Sequence, residues 1–312
     1  METLAGIIAA AAPLIYAALG ETISEKAGVV NLSLDGSILL SAMTGFAAAV
    51  ASGSVLVGFA AAIGVSVAIA AVVAFSGIEL RLNQIAVGFV LFLLARQLAL
   101  FLGDSYVGQS GPKVPAFDVP LLSEIPFFGT VLFSHNLSVY GAYVAVAVTY
   151  VFMYHTRPGL TLRGVGERPA AAFARGVPVN RLRYVYTLVG GALVGVAGAA
   201  VSLDQIAGWR ENLTTNLGWI ALAFVIFGGW HPVRVAGACL IYRGLLYVAS
   251  ELQDTFPSLV QILAQLPFLL MILMLTAIHT NWFRRLGDRH PRWRNVLGSN
   301  APIALGTAFH RE

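Results

Sequence analysis

Nine long apolar runs separated by polar connections, most of them short, limit what this chain can fold into more than any other feature. They fall near residues 4–23, 36–51, 54–76, 85–103, 137–155, 184–204, 213–229, 235–251 and 259–279. Each is long enough, or nearly so, to cross a hydrocarbon layer about 30 Å thick. In lipid the backbone has no water to satisfy its polar groups, so runs of this kind fold as helices. The expected fold is all-α, a polytopic transmembrane helix bundle of about nine spans, or eight to ten because several runs are short or broken by glycine. Only 11% of the residues are charged, against roughly 25% in a soluble domain. The first run lacks a basic lead and a small-x-small cleavage site, so it reads as a retained span rather than a signal peptide. Glycines that allow helices to touch in lipid are plentiful, and Gly191-x-x-x-Gly195 reads as a packing face. The lone Cys239 excludes an intrachain disulfide.

Basic residues give the orientation. If the loop carrying Arg157, Arg163, Arg168, Arg175, Arg181 and Arg183 is cytoplasmic, alternation places Lys26, Arg81, Arg234 and the six arginines after residue 283 on that side too. Lys113 and Arg210 fall outside, and Arg96 and Arg243 lie within spans. The positive-inside rule then predicts an outer N-terminus and an inner C-terminus. Trp282, Phe283 and Trp293 are expected at the inner interface, followed by a basic cytoplasmic tail, 284–312, suited to anionic lipid. Residues 1–283 form one membrane domain with a cytoplasmic loop at 156–183. The net charge of +4 follows sidedness and is no nucleic-acid signal.

Within that loop lies a compact helix signal. Pro169 suits a first helical turn, the alanines after it are strong helix formers, and Gly176 is placed to end the helix in a left-handed turn. Glu167 before the start and Arg175 at the end complement the helix dipole. About two turns of helix between membrane spans are not stable alone, so a receiver is expected.

Several chemistries are excluded. Lys26 and Lys113 are the only lysines and neither follows a glycine, so no P-loop exists. The six histidines show no metal-ligand spacing, and no nucleophile–base arrangement is evident. Among the polar features, 20–36 is too polar for a plain span and too apolar for a plain loop; it reads either as pathway lining or as a turn between spans. Glu79, Arg81, Asn83 and Gln84 cluster before the fourth run, and a third polar stretch extends from Asp204 to Asn216.

Three blocks, GETISEKAGVVNLSLDGSILLSA (Gly20–Ala42), LRGVGERPAAAFARGVPV (Leu162–Val179) and GWIALAFVIFGGWHP (Gly218–Pro232), closely resemble inner-membrane permeases of ABC importers. The group is that of the ribose and branched-chain amino-acid permeases, and the first and third blocks look most like its nucleoside-type branch. Ser33 and Asp35 depart from the Gly and Glu expected there.

The resemblance implies a cytoplasmic coupling helix docked in a groove of an ATPase subunit. On this chain it falls on Val165, Gly166, Glu167, Arg168, Pro169, Ala171, Ala172, Phe173, Arg175 and Gly176. Phe173 is either the apolar anchor, with Arg168 and Arg175 at the rim, or a packing residue against the neighbouring helix ends. Expected partners are the ABC ATPase, a second homologous permease in a heterodimer, an extracytoplasmic substrate-binding protein and membrane lipid. ATP and magnesium would be used by the ATPase subunit, with no cofactor bound by this chain. The expected function is a non-enzymatic permease subunit in the cell membrane, carrying nucleosides or purine compounds by alternating access. Ribose-like sugars, branched-chain amino acids and, in another class, ion-coupled transport are the alternatives. Asn31, Asn83, Gln84, Asn216 and Trp219 are candidates to bond or stack with a base or sugar; each equally suits a helix-packing polar group.

Overall fold

A computed structural model of the chain describes residues 2–118, 120, 123, 125–126, 128–255, 269, 272 and 301–309. Among them, seven helices are long and apolar enough to cross a membrane. They are α1 (Glu2–Lys26), α2 (Leu34–Ser52), α3 (Val55–Ile78), α4 (Gln84–Gly103, continued by a 3₁₀ turn), α6 (Leu137–His155), α9 (Val179–Ala200, continued by a π turn to Gln205) and α11 (Pro232–Thr255). Shorter helices are α5 (Phe128–Leu132), α7 (Arg157–Glu167), α8 (Pro169–Ala174) and α10 (Leu217–Phe227). The run at 259–279, the interface aromatics Trp282, Phe283 and Trp293, and the arginines 284–294 lie outside the described residues.

Helix α1 is the hub. It is buried continuously from Ala11 to Lys26 and packs against α6, α9, α10 and α11. Small residues make this possible: a Cβ on Gly20 would stand 2.5 Å from the Gly190 carbonyl oxygen of α9. Gly191 and Gly195 turn instead toward α3, where a Cβ on Gly195 would meet the Ala62 oxygen at 2.7 Å. Such backbone approach replaces the hydrophobic driving force that lipid removes. Helices α3 and α4 are mostly apolar, and their outer faces, with Phe75, Val90 and Phe101, stay exposed for lipid.

The two ends of the bundle differ. At one, strands β1 (Ala116–Asp118) and β2 (Ser134–Asn136) pair antiparallel. There the Asn136 amide and the Ser138 hydroxyl both donate to the Asp204 carboxylate, tying α6 to the end of α9. At the other end are α7 and α8, with Lys26, Arg163 and Arg234 close enough to interact and Arg81 and Arg181 lining one crevice.

The expected span at 213–229 is replaced by a shorter device. Gly103, at the end of α4, is seated against the Trp209 indole, whereas Trp219 meets Phe92 edge-to-face at 5.5 Å. Phe92 lies eleven residues earlier on α4, about 16 Å along its axis. The chain therefore descends through the turns of 211–216 before α10 begins deep beside α2. Irregular backbone at such depth is tolerated because protein surrounds it, and Leu213 and Thr214 are buried there.

Residues 301–309 do not trail away from the body. Ala304 N–H donates to the Gly166 carbonyl at 2.9 Å and Gly306 N–H to the Gly28 carbonyl at 3.0 Å.

Candidate functional site

The loop end is built on two helices. The Thr156 hydroxyl accepts from Gly159 N–H and Pro158 occupies the first turn, which starts α7. Leu162 and Val165 point inward with no exposure. A Cβ on Gly166 would lie 2.2 Å from the Lys26 carbonyl oxygen, so α7 rests directly on the last turn of α1. After Arg168, α8 starts at Pro169 and the chain reverses at Gly176, whose φ is +81°. No residue of α8 is buried. Phe173 is 40% exposed, its ring 5.5 Å from that of Phe309.

The coupling candidates thus divide. Val165 and Gly166 face the bundle, while Glu167, Arg168, Ala171, Ala172 and Arg175 line an open groove of about 640 Å³. Sequence reasoning expected one helix here. It missed α7, although the Thr-x-Pro start at Thr156 and Pro158 is a recognisable N-terminal signal.

Above this end lies a buried polar seam formed by 20–36. Glu21 is fully buried; one carboxylate oxygen accepts from Asn31 N–H at 2.9 Å, and the other has no hydrogen-bond partner among the described residues. The Asn31 side-chain oxygen accepts from the Ser33 amide and hydroxyl. The Gln84 side-chain oxygen accepts from Val30 N–H at 2.9 Å. Asp35 accepts from Gly218 N–H at 2.9 Å and so caps the buried start of α10. The Trp230 indole donates to Glu25, and the Lys26 ammonium stands 5.9 Å over the same ring. These contacts hold Trp230 at a φ of 55°, a conformation that costs a non-glycine residue energy unless its surroundings enforce it.

The five path candidates are placed differently. Asn31 and Gln84 meet on the same short loop, both engaged with protein. Asn83 caps α4, accepting from Ile85 and Ala86 N–H, and is exposed. Asn216 is exposed in a left-handed turn with φ 57°, and Trp219 is half-buried beside Phe92. Glu21, Glu25, Asp35 and Trp230 complete the seam. The i, i+4 spacing of Glu21 and Glu25 was the available sign that two acids share one helix face.

Outside the spans, His231 lies between α10 and α11, its ring 4.9 Å from Tyr154 and 5.6 Å from Tyr150. Burial first, then the charge of Arg234, pushes its pKa down to about 4. An unfolded histidine takes up a proton near pH 6.5, and the folded one does so only near 4. This group's contribution to stability is therefore lost as pH falls from about 6.5 to about 4. His231→Phe is expected to flatten that part of the pH profile of thermal unfolding in detergent.

Residues 3–275 match the family described as branched-chain amino acid transport system, permease component. A Haloferax volcanii protein, provisionally named a glucose ABC transporter permease, is 38% identical over 243 residues, covering 77% of this chain and 74% of the relative. A guanosine ABC transporter permease of Bacillus subtilis is 31% identical over 285 residues, covering 85% and 88%. A nucleoside ABC transporter permease of Lactococcus lactis is 28% identical over 287 residues, covering 87% and 90%. No solved structure matches.

Proposed function

The chain belongs to the permease-component family of branched-chain amino acid transport systems, and from this premise we propose that it forms half of the path by which an ABC importer carries nucleosides. It is a multi-pass protein of the cell membrane and a permease subunit of an ABC transporter. The observation that carries the nucleoside reading is similarity over nearly the full length of two relatives named for guanosine and nucleoside transport. A hexose is the second reading, favoured by the 38% identity to the Haloferax protein.

The α7–α8 end faces the cytoplasm, because Lys26, Arg81, Arg163, Arg181 and Arg234 gather there and the positive-inside rule places them inward. ATP and magnesium act on a separate ATPase subunit that receives α8. Closure of the ATPase moves α8, and α7 passes the motion to α1 through the contact of Gly166 with Lys26. Helix α1 touches most of the bundle, so its tilt reorients the path lined by the seam at 20–36 and the start of α10. A second, non-identical permease completes that path. Two relatives of this chain in Haloferax volcanii and two in Lactococcus lactis support a pair of different chains. An extracytoplasmic binding protein delivers the solute to the end carrying β1 and β2.

Uptake into vesicles holding the whole complex tests the reading. Labelled guanosine should enter with ATP, in the presence of a protonophore, and unlabelled inosine should compete where glucose and leucine do not. Competition by glucose alone would favour the hexose. Uptake that survives an ATPase-dead partner and stops with the protonophore would indicate ion coupling instead.

A further inference from the structure

The coupling surface of α8 is not made by 156–183 alone. Residues 301–309 are bolted beside it by three hydrogen bonds to three separate elements. Ala304 N–H reaches Gly166 at the end of α7, and Gly306 N–H reaches Gly28 after α1. The Arg183 guanidinium of α9 donates to the Thr307 carbonyl at 2.8 Å. Pro302 and Ala304 are buried in this contact, whereas Ile303 between them is 75% exposed. A short segment pinned through its backbone just after an outward apolar residue, with buried Pro302 just before it, presents that residue rather than hiding it.

Ile303 faces the groove whose other wall is α8. Leu160, 62% exposed, Ala172 and Ile303 supply apolar lining, and Arg168 and Arg175 stand on the same wall. At the far end of the segment Phe309 packs on Phe173. Apolar surface in a concave, arginine-bearing setting fits a protein partner with an apolar knob and carboxylates around it.

We infer that the C-terminal segment 301–309 forms the second wall of the ATPase-docking groove, so that one face of the ATPase subunit lies between Ile303 and α8. The inference rests on the coupling role given to α8 above. Two observations favour the ATPase over lipid as occupant. The groove is concave, which a membrane surface does not fill, and the segment that forms its wall also packs on α8 through Phe309 and Phe173. The segment thereby also gives the ATPase a second attachment to α1 and α9, through Gly28 and Arg183.

A photo-crosslinking amino acid placed singly at Ala172, Ile303 and, as background, Ser110 tests this in the assembled complex in membrane vesicles. Crosslinks to the ATPase subunit from both 172 and 303, and none from 110, are expected. Ile303→Asp should also reduce the ATPase co-purified with the permease about tenfold. Crosslinking from 172 with only lipid adducts or none from 303 would overturn the second wall and leave the coupling role of α8 standing. Absence of ATPase crosslinks from both positions would overturn the two together.

Discussion

Gly166→Val is expected to lower ATP-driven uptake about 100-fold while the ATPase subunit stays bound. The reason is backbone contact. Any Cβ at this position would stand 2.2 Å from the Lys26 carbonyl oxygen and close to Pro302, and the carbonyl is no flexible side-chain end that swings aside. Overpacking of this kind costs roughly 1–3 kcal/mol or more, relieved only by moving α7 off the last turn of α1. The substitution leaves the exposed face of α8, with Phe173, unaltered, so docking through α8 survives and transmission fails. Gly64→Val is the control. Gly64 lies in α3, away from the groove, with nothing within 4 Å of an added Cβ, and uptake should stay within about twofold of the parent. Uptake and ATPase co-purification measured together separate the two variants. Normal uptake by Gly166→Val would show that α7 does not carry the motion.

The second large effect is expected at Asp35, which caps α10 at depth. Removing the carboxylate in Asp35→Ala leaves Gly218 N–H without its acceptor at a buried helix start. Loss of a hydrogen bond to a charged group costs about 1.5–3 kcal/mol, enough to lower uptake about 10- to 100-fold if it falls on the transport cycle. Asp35→Asn keeps an oxygen acceptor of the same reach and should recover most of the activity. An equal loss in both variants would show that the charge, rather than the cap, is what transport needs. Gly218 itself admits no side chain, since its Cβ would sit 2.2 Å from Asp35 N.

The family resemblance drew notice to Asp35 as a departure from the expected residue, yet its partner was not legible. Composition and hydropathy read the long spans well, because a helix in lipid is recognised by length and polarity alone. The same criterion failed at 213–229. Leu217 to Trp230 is almost wholly apolar, and hydropathy cannot tell a half-helix starting deep in the bundle from a full crossing. Pro169 and Gly176 marked α8 because each acts through its own backbone. Helix α7 escaped because arginines and glycines dilute its pattern. Asn83 and Gln84 were grouped by adjacency, but one caps α4 outside the core and the other reaches inward to Val30. Ala-Pro-Ile-Ala-Leu-Gly at 301–306 bears no periodicity at all, since its attachment runs through backbone groups common to every residue.

The measurement closest to the central claim is ATPase binding and uptake by Phe173→Asp in the intact complex. A carboxylate at the exposed face of α8 would be desolvated on docking, and a buried unpaired charge is strongly unfavourable. The variant should insert into the membrane at the parent level, retain less than about a tenth of the ATPase subunit and show no ATP-driven uptake. Parent-level ATPase binding and uptake by Phe173→Asp would contradict α8 as the place where the energy of ATP enters this chain.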